Sequence, residues 1–263
     1  MAYLPGRKGP EEKRLSVRRR DDIDLQKLKR SHELLEDLHR QMRESHIEMI
    51  LNLATAAEYK DPDTGNHILR ISDYATELGK AAGLSEQDVD LLRFASPMHD
   101  IGKIGIPDSI LQKPGKLTPE EWEVMKTHTV IGSRIFQNSR SPLLRSISQI
   151  SLTHHEKYDG SGYPNGLKGE EIPIFGRIVA VVDVFDAIVS KRCYKEASSF
   201  DEGFAYIESL AGTHLDPHLI KVFRGCGGAI RQVYDANQAI AGYIKEFAEQ
   251  DLVELDEEPP SQD

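Results

Sequence analysis

Five histidines and two aspartates are the residues of this 263-residue chain best suited to metal chemistry: His67, His99, Asp100, His128, His154, His155 and Asp183. Asp100 follows the run Phe94-Ala95-Ser96-Pro97-Met98, and Asp183 follows the apolar stretch Ile178 to Val182. A carboxylate among core residues must be paired or must bind a cation, because an isolated buried charge is too costly. Singly, each residue has an ordinary reading, as a salt-bridged aspartate or a hydrogen-bonded core histidine. Jointly, they are imidazoles and carboxylates without thiolates, a set that selects borderline-to-hard ions such as Fe, Mn or Zn. The adjacent pair His99-Asp100 offers one terminal nitrogen ligand and one carboxylate able to bridge two ions. Seven donors exceed the needs of one ion with an open position. They suit a pair of divalent ions about 3.5–4 Å apart, which would generate a bridging hydroxide and stabilise a phosphoryl oxyanion.

The elements that must position these residues are helical. Residues 22–60 contain no Gly or Pro and are rich in Leu, Glu, Lys and Arg, a composition that favours a helix. Leu25, Leu28, Leu35, Met42, Met49 and Leu53 fall on a heptad seam whose other positions are His32, His39 and His46. This pattern reads as a weak dimerising stalk or a helix packed on the body. Further helices are expected over Ile68 to Gly79, over Val89 to Ala95 after Ser85, and from Thr118-Pro119-Glu120-Glu121 through Trp122, Met125 and His128. Residues 141–155, Phe175 to Val189, Asp201 to Leu210, Pro217 to Val222 and about 228–249 complete the set. The segment Tyr158 to Ile174, dense in Gly and Pro, is expected as loop. Phe175 to Val189 would also suit a buried strand, but its length and flanks favour a buried helix. The chain reads as all-α, with a disordered basic arm (1–21), a helical stalk (22–56), a body (57–249) and a disordered acidic tail (250–263).

Composition narrows the function classes. The net charge is −10. It includes seven Lys and Arg against two Glu in residues 1–20, and eight acids with no base in residues 246–263. An acidic body without a basic groove argues against nucleic acid as the main substrate. No stretch approaches the roughly 18 apolar residues of a membrane span, and the polar, basic start of the chain is no signal peptide. The expectation is a cytoplasmic protein. Two cysteines, Cys193 and Cys226, exclude a disulfide framework or a thiolate zinc site.

Four motifs then carry a resemblance. His99-Asp100-Ile101-Gly102-Lys103-Ile104-Gly105-Ile106-Pro107 resembles the HD motif of metal-dependent phosphohydrolases. His154-His155-Glu156-Lys157-Tyr158-Asp159-Gly160-Ser161-Gly162-Tyr163-Pro164 resembles the motif that names the HD-GYP subfamily. Asp63-Thr64-Gly65-Asn66-His67 is similar to its entry motif, and Gly212-Thr213-His214-Leu215-Asp216-Pro217 to its closing one. The resemblance covers roughly residues 47–225.

It implies an all-α HD-domain bundle with a Gly/Pro-rich GYP loop. It also implies a phosphodiesterase that hydrolyses cyclic di-GMP to pGpG, and onward to GMP in some members, through a metal-bridging hydroxide. The implied ligands are His67, His99, Asp100, His128, His154, His155 and Asp183, with Asp100 bridging. The implied ions are two or three divalent metals, Fe or Mn. Lys103 is expected near the scissile phosphate, Gly162 and Tyr163 in the pocket wall, and Arg192 and Lys195 as a phosphate-binding pair. Asp63 stands where some members carry a glutamate for a third ion, one methylene shorter. His214 and His218 read as structural or surface residues.

Expected partners are cyclic di-GMP, a second copy of the chain through the stalk, and diguanylate cyclase or response-regulator proteins. Two alternatives stay open: an HD-type phosphodiesterase for another cyclic dinucleotide or nucleotide, and a weakly catalytic cyclic di-GMP receptor or docking module.

Overall fold

The computed structural model describes residues 10–58, 67–190 and 198–237. The chain divides into two compact units, Met1–Met49 and Ile50–Asp263. Helix α1 (Pro10–Glu58) fills the described part of the first and opens the second. It begins at Pro10, so residues 10–21 are helical rather than part of a disordered arm. The Gly and Pro that suggest disorder stop at position 10, and proline is tolerated at the first helical position. Within the first unit, Leu28, Leu35, Met42 and Met49 are each more than half exposed, so among the described residues nothing covers this part of the heptad seam. His32 Nε2 lies 3.1 Å from Glu36 one turn on.

The second unit is a helical bundle. Its helices are α2 (His67–Ala81), α3 (Glu86–Ala95), α4 (Asp108–Leu111), α5 (Pro119–Lys126), α6 (His128–Phe136), α7 (Pro142–Thr153), α8 (Ile174–Val189), α9 (Phe200–Ser209) and α10 (Pro217–Gly225). Residues 227–237 are helical again, apart from the stretch beyond 237 that lies outside the described residues. Among the described residues there is no strand, only an isolated bridge between Ala211 and Leu215. The fold is all-α.

Helix α8 is the centre of the bundle. Phe175, Ile178, Val179, Val181, Val182, Phe185 and Val189 are all buried, a broad apolar face that the rest of the bundle covers. It packs on α2, α7, α9 and α10. Phe185 sits edge-on to Tyr74, Phe200, Phe204 and Phe223, with ring centroids 5.1–5.6 Å apart, the geometry aromatic quadrupoles prefer.

The helix starts follow local chemistry. Ser85, Thr118, Ser199 and Asp216 each accept a backbone N–H in the first turn of the helix they precede, satisfying donors that a helix start leaves orphaned. The helix expected to run unbroken from Thr118 through His128 is split instead. The Thr127 hydroxyl and backbone N–H both donate to the Val124 carbonyl, which tightens the last turn of α5, and α6 restarts at His128. The break lets His128 stand at a helix start.

Candidate metal centre

The seven sequence-selected donors come from five separate elements. His67 opens α2, and His99 and Asp100 sit between 3-10 turns at Ser96–Met98 and Ile101–Gly105. His128 opens α6, His154 is the C-cap of α7 with His155 after it, and Asp183 lies in mid-α8. The fold brings all seven together. Asp100, His128, His154 and His155 form one group, and His67, His99 and Asp183 a second; within each, one donor atom per residue lies within 4.8 Å of the others.

Asp100 joins the groups. Its Oδ1 is 3.3 Å from His128 Nε2 and 3.4 Å from His154 Nε2. Its Oδ2 is 3.4 Å from His99 Nε2 and 2.8 Å from Lys103 Nζ. On the other side, Asp183 Oδ1 lies 3.7 Å from His67 Nε2 and 4.0 Å from His99 Nε2.

The histidines are held by their other nitrogen. Nδ1 of His99 lies 3.0 Å from the Ser96 carbonyl, that of His128 2.8 Å from Met125, and that of His154 3.1 Å from Ile150 and Ser151. Carbonyls only accept, so each Nδ1 carries a proton and each Nε2 is the nitrogen turned toward the carboxylates. His67 does the same toward Asp186 Oδ2 at 2.7 Å. This arrangement fixes tautomer and ring orientation, as histidine ligands of metals require.

The inward atoms make no hydrogen bond. His99 Nε2, Asp100 Oδ1, His128 Nε2 and His154 Nε2 are buried without one, although the nitrogens stand 3.3–3.4 Å from the Asp100 oxygens. Buried polar atoms are rarely left so, and four in one place fit a shared divalent cation.

Charge agrees with the geometry. Burial would raise the Asp100 carboxyl, but Lys103 and His99 beside it hold it well below the usual carboxylate range. Burial would depress His99, yet Asp100 and Asp183 raise it to about 9, the mark of a site whose negative charge favours a cation. Burial keeps His154 below the usual imidazole range and His155 well below it, so both are neutral and able to ligate.

Glycine permits the close packing. A Cβ on Gly102 would stand 1.9 Å from the His128 carbonyl oxygen, so only glycine lets the 3-10 turn after Asp100 meet the start of α6. A Cβ on Gly162 would stand 2.1 Å from the Lys157 nitrogen, which is how the loop before Tyr163 folds back on itself. The buried Glu156 accepts from the Asn165 and Leu167 nitrogens at 2.7 and 3.0 Å. The closing motif tethers this loop, with Tyr158 N donating to His214 O and Asp159 N to Thr213 O. Tyr163 lies with its ring 4.9 Å from His155, next to a cleft of about 350 Å³ whose lining includes Asp100, Lys103, His128 and Asp183.

Three residues were not singled out from sequence. Asp186, buried one turn after Asp183, holds His67 and is itself held by Arg70, whose Nε and a terminal nitrogen bind it at 2.6 and 2.9 Å. Despite burial, the His67 and Arg70 partners lower Asp186 to about 2. The signal was present: a second acid in an apolar helix, on the same face as Asp183. Trp122, lining the cleft from α5, was read only as part of a helix. Asp63, Arg192 and Lys195 lie outside the described residues.

The family comparison agrees with this centre. The HD domain family model matches residues 28–219. A cyclic di-GMP phosphodiesterase of Thermotoga maritima is 51% identical over 185 residues, covering 70% of this chain and 50% of that protein. A 3'3'-cGAMP-specific phosphodiesterase of Vibrio cholerae is 44% identical over 181 residues, 69% of this chain and 35% of that protein. The chain thus spans half or less of the length of these relatives. A solved structure of a cyclic GMP-AMP-specific phosphodiesterase of V. cholerae has TM-score 0.57 at 20% identity, over 74% of this chain and 53% of that one, a likeness of fold. Matched by the family model across most of its length, with His99-Asp100 at the junction of its two donor groups, the chain belongs to the HD-domain family, as its four motifs imply.

Proposed function

We propose that this chain is a metal-dependent phosphodiesterase that opens cyclic di-GMP to linear pGpG. The observation that carries this reading is the joining of two histidine-rich donor groups through one carboxylate, Asp100, with Lys103 beside it. One ion would be held by Asp100, His128, His154 and His155, the other by Asp100, His67, His99 and Asp183. Bound divalent ions, Fe or Mn in this reading, supply Lewis-acid polarisation of a phosphate and activation of water at neutral pH. Two ions suffice for the described donors, and Asp63 would be the candidate ligand for a third.

The chain's own groups do the remainder. Lys103 stabilises negative charge developing on the phosphoryl oxygens. Gly162 and Tyr163 form the wall against which the nucleotide is oriented. Arg192 and Lys195, by their spacing after Asp183, contact the second phosphate.

The curated relative named a cyclic di-GMP phosphodiesterase supports this substrate. One specific observation favours a second reading: a relative 44% identical is named as specific for 3'3'-cGAMP. Purified chain assayed anaerobically with Fe(II) or Mn(II) against both dinucleotides separates these. Faster turnover of cyclic di-GMP supports the first reading, and faster turnover of 3'3'-cGAMP the second. Tight binding without turnover would instead mark a receptor.

A further inference from the structure

Helix α5 contributes nothing to the hydrophobic core. None of its residues is buried, and Trp122, Met125 and the neighbouring Leu111 and Leu117 are absent from the core cluster. The helix is held at its start, by the Thr118–Glu121 capping box and by the Lys113 ammonium on both Glu121 oxygens at 2.7 and 2.6 Å. Its apolar side chains are nonetheless gathered. Leu111, Leu117, Trp122 and Met125 line the cleft that also exposes Asp100 and Lys103. Trp122 is 46% exposed, although tryptophan is highly buried on average. Its ring stands 6.2 Å from that of Tyr163, at 81°, and Tyr163 is in turn 4.9 Å from His155. An accessible indole two rings from the donor cluster is explained by a ligand rather than by folding.

The ligand chemistry follows from the neighbours. An indole face beside apolar aliphatics takes a flat, aromatic, uncharged group. The adjacent lysine and donor cluster take an anion that bridges to it. A nucleotide combines both. We infer that α5 carries a nucleobase subsite, in which one purine of the substrate stacks on Trp122 while its phosphate lies over Asp100 and Lys103. This rests on the phosphodiesterase reading and adds a residue that binds the base. Substrate recognition is thereby separated from the hydrolytic centre: the base is read by α5, which is outside the core, and the phosphate by the bundle.

Trp122 is the chain's one tryptophan, so its emission reports this subsite alone. The test titrates the metal-loaded full chain with cyclic di-GMP while following tryptophan fluorescence, with inorganic phosphate as a baseless control. The expected result is saturable quenching by the dinucleotide and none by phosphate. Trp122→Ala should raise KM about 5- to 150-fold, the range that corresponds to one lost base stack, with the loss falling on KM more than on kcat. Trp122→Phe, which keeps a stacking face, should recover most of it. Cyclic di-GMP turnover by wild type with silent emission, or an unchanged KM in Trp122→Ala, overturns the subsite and leaves the phosphodiesterase reading standing. Failure of wild type to bind or turn over any cyclic dinucleotide overturns both.

Discussion

At the scale of single residues, the centre depends on where each proton is held. Backbone carbonyls at Ser96, Met125 and Ile150 accept hydrogen bonds from Nδ1 of His99, His128 and His154, which leaves three Nε2 atoms converging on Asp100. That carboxylate belongs to one donor group and reaches the other through His99, 3.4 Å from its Oδ2. Asp100→Asn keeps the shape and removes the charge, so bound metal should fall by at least one equivalent and turnover by more than about 100-fold, since even outer partners of metal ligands are worth 10- to 100-fold. Elemental analysis beside an activity assay checks both. Lys103 lies against the same carboxylate but is no metal ligand. Lys103→Ala should therefore lower kcat by roughly 100- to 1,000-fold, the usual cost of losing one preorganised charge stabiliser, while metal content measured on the same sample stays at the wild-type level.

At the scale of elements, helix starts, helix ends and one core helix carry the seven donors. Much of this was legible. The apolar run before Asp183 marked a buried helix bearing an acid, and Thr118-Pro119 marked the start of α5. The break at Thr127 was not legible, because it depends on a side-chain bond to the Val124 carbonyl that no periodicity encodes. Nor was the Arg70–Asp186–His67 chain, which joins residues 116 and 119 positions apart. Sequence spacing reports neighbours along one helix, not groups that meet across two. That chain is testable in its own right. Asp186→Asn removes the buried charge that Arg70 and His67 share and loosens the hold on the His67 tautomer. It should weaken metal affinity about 10- to 100-fold and destabilise the fold by about 3–5 kcal/mol. Metal titration and denaturant unfolding read the two effects separately.

At the scale of the whole molecule, the two units pose separate questions. The first presents Leu28, Leu35, Met42 and Met49 as an exposed seam at heptad spacing, which a second copy of the same helix would cover. Replacing Leu35 and Met42 together by lysine should convert a dimer to a monomer in analytical ultracentrifugation; a wild-type chain that sediments as a monomer would remove the stalk from the account. In the second unit, the HD fold assembles donors that the chain scatters over more than a hundred positions, from His67 to Asp183. If this cluster is a two-ion centre that cleaves a cyclic dinucleotide, metal content and turnover rise together. Metal stoichiometry measured on anaerobically purified chain, alongside cyclic di-GMP turnover at each level of metal loading, tests this most directly. Two Fe or Mn per chain are expected, with activity that rises only as the second ion is filled. Full activity at one ion per chain, or none at two, would contradict a two-ion centre.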